Sequence, residues 1–186
     1  MRKSLLPLAV LAALAATSAQ ADTLNFEAYP NGDLGTTVLV MPNATVTGFG
    51  ASLFNLSEFY ATGQGGAICS LAVNGSCEAD MQIDFSGEVS GLTFQTFGYN
   101  PGDTVAISAY AGATLLATTI VSSDTLVDFS ALSGVTRLSM DDSSTGAGFG
   151  YGVFDFTAAV PEPETYALML AGLAAVGAAA RRRRAV

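Results

Sequence analysis

No histidine occurs among the 186 residues of this chain. A Ser-His-Asp or Cys-His nucleophile needs an imidazole to take its proton, so that chemistry is closed to it. Paired carboxylates are the remaining route to hydrolysis, and Asp80 with Asp84 or Asp141 with Asp142 form nominal pairs. Glycoside cleavage would require two such groups to face each other across a groove at roughly 5 to 9 Å, one with a raised pKa. Outward acids on a β protein are more simply solvated surface, and the chain is expected not to be an enzyme. One further pattern bears on metal binding: Asp141-x-Ser143-x-Thr145-Gly146 offers oxygen ligands at alternate positions followed by a glycine, like the opening of a calcium loop. Gly152 stands where the closing bidentate acid belongs and no helix pattern flanks the loop, which excludes an EF-hand. A weaker calcium site completed by Glu27 or Asp155 is the metal expectation, against the plainer reading of a turn; no other cofactor is indicated.

The two ends of the chain are addresses rather than fold. Arg2 and Lys3, an apolar stretch from Leu5 to Ala16, and Ala19-Gln20-Ala21 before Asp22 form a secretory signal peptide over residues 1–21, cut by signal peptidase after Ala21. The apolar stretch is short and ends in small and polar residues, which argues against a permanent N-terminal anchor. At the other end, Tyr166 to Ala180 carries no charge and is followed by Arg181, Arg182, Arg183 and Arg184. At about 1.5 Å per residue a helix here spans roughly 22 Å, short of the ~30 Å hydrocarbon core. It is a marginal anchor whose arginines mark the cytoplasmic side. Pro161 and Pro163 hold an extended, accessible segment at its outer mouth.

Val160-Pro161-Glu162-Pro163, the apolar span and the terminal arginine cluster, in that order, resemble the tail of the PEP-CTERM proteins of Gram-negative bacteria. The resemblance covers residues 159–186. It implies recognition by an exosortase, a membrane cysteine transpeptidase, passage through an inner-membrane-anchored intermediate, and delivery to the cell surface or extracellular matrix. The alternative is a single-span membrane protein with a basic stop-transfer end.

With both addresses set aside, the body of residues 22–158 has fourteen carboxylates against Arg137 alone, a net charge of −13. Such a surface repels nucleic-acid phosphates and anionic headgroups, so nucleic acid is excluded as a partner and cations are favoured. The body is long enough for one domain with a substantial core. Cys69 and Cys77, the two cysteines, are exported to an oxidising compartment and are expected to be bridged around Asn74-Gly75, closing a hairpin-like loop.

Apolar residues in this body recur with period two. Strands are expected over Thr23–Ala28, Thr36–Met41, Ala51–Phe59, Met81–Phe85, Gly91–Phe97, Thr104–Tyr110, Thr114–Val121, Thr125–Phe129, Val135–Met140 and Phe149–Thr157. Turn chemistry such as Asn100-Pro101-Gly102-Asp103 separates them. The expected fold is all-β, an antiparallel β-sandwich of jelly-roll-like form. A triplet recurs as Ile83-Asp84-Phe85, Val127-Asp128-Phe129 and Phe154-Asp155-Phe156, with two apolar side chains inward and one acid outward. Gly146, Gly148, Gly150 and Gly152 alternate with larger residues and leave one face bare, chiefly for close packing, though Tyr110 or Tyr151 nearby could stack on a sugar. Asn43, Asn55 and Asn74 each begin a glycosylation sequon. The function expected is structural or adhesive, associated with exopolysaccharide; the alternative is a carbohydrate-binding module.

Overall fold

The structure is a computed structural model that describes residues 20–158. Its strands are β1 (Gln20–Thr23), β2 (Gly32–Asp33), β3 (Val38–Val40), β4 (Ala44–Gly48), β5 (Ser52–Asn55), β6 (Ala67–Leu71), β7 (Met81–Phe97), β8 (Val105–Ala111), β9 (Thr114–Val121), β10 (Leu126–Phe129), β11 (Val135–Asp142) and β12 (Gly150–Ala158). All of their pairings are antiparallel. The expected leader lies outside the described residues except for Gln20 and Ala21, which belong to β1 and pair with Ala158 and Thr157. The expected sorting helix lies wholly outside them. Among the described residues no helix is long and apolar enough to cross a membrane.

The long strand β7 organises everything else. Its first part lies between β4 and β11, and its second part between β12 and β10. Met81, Ile83 and Phe85 are buried at odd positions, whereas Leu92, Phe94 and Thr96 are buried at even ones. A strand whose side chains strictly alternate can change parity only by inserting a residue. It does so around Ser90-Gly91, where Gly91 takes φ +64° and the register against β12 shifts. A second irregularity at Ser86-Gly87-Glu88 shifts the register against β11. These breaks turn one strand from one half of the sheet into the other, and both halves bury their apolar faces in a single core.

That core is aromatic at its centre. Phe154 stacks on Phe94 at 4.8 Å and meets Phe26 edge-on at 6.1 Å, while Phe85 meets Phe156 at 5.1 Å. Each such pair adds about 0.5–1.5 kcal/mol beyond its buried area. The recurring triplets behave as their pattern requires: all six apolar members are buried, and Asp128 and Asp155 are exposed.

The strand expectations hold best in the second half of the body. β9 has the expected limits, and β8, β10, β11 and β12 differ by one or two residues at an end. Thr23–Ala28 is corrected: Asn25 caps a 3-10 turn over Phe26–Ala28 by accepting from Glu27 N at 3.0 Å, so a side-chain bond displaces the strand. Ala51–Phe59 stops at Asn55, whose Oδ1 accepts from Ser57 N and turns the chain. β2, β4, β6 and all of β1 before Thr23 are additions, and the two segments expected on either side of Ser86 are one strand.

Candidate binding cleft

A cleft of about 700 Å3 opens between the turn that follows β6 and the loop that joins β11 to β12. The first wall is built by the disulfide. Cys69 in β6 is bridged to Cys77 with their Cα atoms 5.5 Å apart, and Asn74 Oδ1 accepts from Ser76 N at 3.0 Å to close the turn between them. The second wall is Ser144-Thr145-Gly146. Its loop is tied down by Asp142, whose carboxylate accepts from Ser144 N at 2.8 Å and Phe149 N at 3.3 Å. Ser144 Oγ in turn accepts from Thr104 N at 3.2 Å.

Carboxylates join the walls. Glu78 accepts from Asn74 Nδ2 on one side and from Gly146 N on the other. Asp80 Oδ1 accepts from Asp142 N at 2.9 Å. The close approach depends on Gly148, where an added Cβ would lie 1.9 Å from Cys77 O and where φ is +70°. Gly152 is equally constrained, 2.2 Å from Gly66 O. Gly148 and Gly152 thus serve packing between backbones, whereas Gly150 faces the Leu56 side chain and a Cβ at Gly146 would meet nothing within 4 Å.

Phe49 forms the rim. Its amide donates to Asp80 O at 2.9 Å, which fixes the backbone, yet its ring is 61 % exposed. Exposed Val73 lines the same cleft. A fixed aromatic beside carboxylates and an amide suits a hydroxylated or cationic ligand. Glu78 and Asp80 each accept from a backbone N–H of the second wall, Glu78 from Gly146 N and Asp80 from Asp142 N.

Behind the cleft, burial pushes the Asp142 carboxyl above its ordinary range; the Ser144 and Phe149 bonds oppose this, and the charge of Asp103 adds to it. Burial likewise pushes Tyr151 well up, with the charges of Asp142 and Asp80 acting in the same direction. Tyr151 is 1 % exposed and its hydroxyl has no hydrogen-bond partner. It therefore cannot stack on a sugar, contrary to the sequence expectation. Tyr110 is half-buried, with the Arg137 guanidinium 4.4 Å above its ring.

The five expected metal ligands are divided between separate places. Asp141 is exposed at the end of β11, Ser143 Oγ donates to Thr104 O at 3.0 Å, and Thr145 lines the cleft. Glu27 and Asp155 do come together, but in another cleft, lined also by Gly63, Gly65 and Val153, where Glu27 accepts from Gly63 N. Among the described residues no three or more Asp, Glu, Cys or His side chains are grouped to hold a metal ion. Of the nominal acid pairs, Asp80 is in the first cleft while Asp84 accepts from Gln82 Nε2 at 2.6 Å on β7. The Asn55 sequon is structural: Asn55 is 1 % exposed and its amide donates to Phe26 O and Tyr29 O. Reasoning from the sequence passed over Glu78 and Phe49 and weighed Asp141 where Asp142 organises the loop. Asp142-Ser143-Ser144 is an Asx-turn pattern, which was the available signal.

The family model of the PEP-CTERM protein-sorting motif matches residues 159–184. The chain carries a PEP-CTERM sorting motif. The match contains Pro161, Glu162, Pro163 and all four arginines from Arg181 to Arg184. The motif implies a protein that is exported, has an exosortase as its processing partner, and is sorted to the cell surface. Searches of curated proteins and of solved structures found no match to the chain.

Proposed function

We propose that this PEP-CTERM protein is a non-enzymatic structural or adhesive component of the cell surface or extracellular matrix, held to exopolysaccharide through divalent cations. The observation that carries this reading is the charge: a sorting motif is joined to a β body of net charge −13. Two polyanions repel unless cations bridge them. The carboxylates that alternate outward along strands, among them Asp128 and Asp155, are placed for such bridging, and calcium is the ion expected. Signal peptidase and the inner membrane are transient partners in export on this reading. The folded-over sheet supports the β-sandwich form of the body.

The test is co-sedimentation of the purified protein with the producer's exopolysaccharide. Association is expected in millimolar calcium and is expected to be reversed by chelator, without hydrolysis of glycoside, ester or peptide substrates. Association indifferent to chelator overturns the bridging role, and turnover lost on Asp80→Asn overturns the non-enzymatic one.

The carbohydrate-binding module is the second reading, favoured by the exposed ring of Phe49 on the cleft. It expects binding that survives chelator, competes with one simple sugar, and falls on Phe49→Ala.

A further inference from the structure

The chain has two Asn-Gly pairs, Asn31-Gly32 and Asn74-Gly75. Such a pair is reactive as well as turn-forming. The asparagine side chain presents an amide carbon to the backbone nitrogen of the next residue, and a glycine there has no Cβ to block the approach. Asn74 and Gly75 are exposed at the tip of the disulfide loop, and a Cβ on Gly75 would meet nothing within 4 Å.

The turn ties up both reacting groups. Gly75 N, the nucleophile, donates to Ala72 O at 3.0 Å, and Ala72 N donates to Ser76 O at 2.8 Å. The Asn74 amide, the electrophile, is held at both ends: Oδ1 accepts from Ser76 N at 3.0 Å and Nδ2 donates to Glu78. The Cys69–Cys77 bridge closes the loop around these partners, and Glu78 follows it directly. An N–H engaged as a donor is harder to deprotonate, and a side chain bonded at both ends does not swing onto it. Cyclisation therefore waits on local opening of the turn. Asn31 stands elsewhere. Its neighbour Gly32 pairs with Asn55 at the end of β5, whereas the turn after β6 follows Leu71, the partner of Ser52 at the start of β5.

We propose that Asn74 is a deamidation site, kept slow by the disulfide and by Glu78, whose conversion loosens the cleft. Gly75 N loses its proton and forms a bond to Asn74 Cγ. The Cγ–Nδ2 bond breaks, and the proton returns through solvent to the leaving nitrogen, which departs as ammonia. Water then opens the cyclic imide at either carbonyl, leaving aspartate or isoaspartate; nothing is oxidised or reduced. Either product puts a carboxylate where a donor stood. Glu78 loses Asn74 Nδ2 and gains a like charge beside it, which weakens its hold on Gly146 N across the cleft. The modification needs neither polysaccharide nor cation and does not depend on the matrix role.

The experiment incubates the full chain in mild detergent at mildly alkaline pH and follows both Asn-Gly pairs by peptide mapping, with Asn31 as the internal reference. In the parent, Asn74 is expected to convert slowly. Replacing Cys69 and Cys77 together with Ala is expected to speed its conversion at least about tenfold, because the rate follows the open population of the turn. Glu78→Ala, which keeps the bridge, is expected to speed Asn74 as well and to leave Asn31 unchanged. Asn74→Asp, a mimic of one product, is expected to speed hydrogen exchange at the Gly146 amide. The proposal is overturned if Asn74 stays intact in both variants, if it converts as fast in the parent as in them, if Asn31 accelerates equally in Glu78→Ala, or if Gly146 exchange is unchanged in Asn74→Asp.

Discussion

At the scale of single residues, the most informative groups are the two that sit uneasily behind the cleft. Tyr151 keeps a buried hydroxyl without a partner, and an unsatisfied polar group of this kind costs about 1–3 kcal/mol. Tyr151→Phe is therefore expected to leave the fold intact and to hold or raise the melting temperature, as read by calorimetry; a fall of several degrees would show that the hydroxyl is bonded. Asp142 is held above its ordinary pKa, chiefly by burial. A carboxyl raised in the folded state favours folding when protonated, and that contribution is lost as pH rises through the folded value. Asp142→Asn escapes this loss but gives up one acceptor to the loop. The melting temperature of the variant relative to the parent is thus expected to be more favourable at pH 7 than at pH 4, and the opposite trend would refute the burial argument. Asp33 and Asp128, which accept hydrogen bonds and titrate low, are common to both proteins and cancel in the comparison.

At the scale of elements, the turn after β6 and the loop after β11 depend on each other through Glu78, the Gly148 approach and the Asp80–Asp142 bond. The disulfide spans eight positions and closes a small loop, which on the chain-entropy account contributes about 2.5 kcal/mol. Replacing Cys69 and Cys77 together with Ala is expected to lower stability by about that amount in denaturant titration while leaving a folded domain, because the aromatic core lies elsewhere. Complete unfolding would mean that the bridge, and not the core, carries the fold.

At the scale of the whole molecule, the motif at one end implies export and sorting of the acidic body to the cell surface. The mass of surface-released protein is expected to match a chain beginning at Asp22 and ending near Pro161 to Pro163, with Pro161→Ala and Glu162→Ala together retaining the protein in the inner membrane. Recovery of released protein that still carries Arg181 to Arg184 would refute removal of the tail. A start at Asp22 would take Gln20 and Ala21 out of β1, leaving Asp22 and Thr23 paired with Phe156 and Asp155. Thr157 and Ala158 at the end of β12 would lose their β1 partners.

Several properties follow from local chemistry and could be read directly: the all-β class from period-two alternation, the bridge from two cysteines flanking Asn74-Gly75, the charge from composition, and the motif from a contiguous stretch. Alternation and turn residues act over a few positions, so neighbours in sequence suffice. What the tertiary structure decided involves residues far apart. β7 became one strand shared by both halves of the sheet because its breaks are absorbed by bulges that depend on β11 and β12. Asp142 rather than Asp141 gained the loop because its carboxylate faces Ser144 and Phe149, an orientation set by strand parity and the loop's return. The expected ligands Asp141 and Glu27 were divided by strand pairing across the sheet, and the same pairing set Phe49 and Ser144-Thr145-Gly146 around the neighbours Glu78 and Asp80, which no spacing along the chain records.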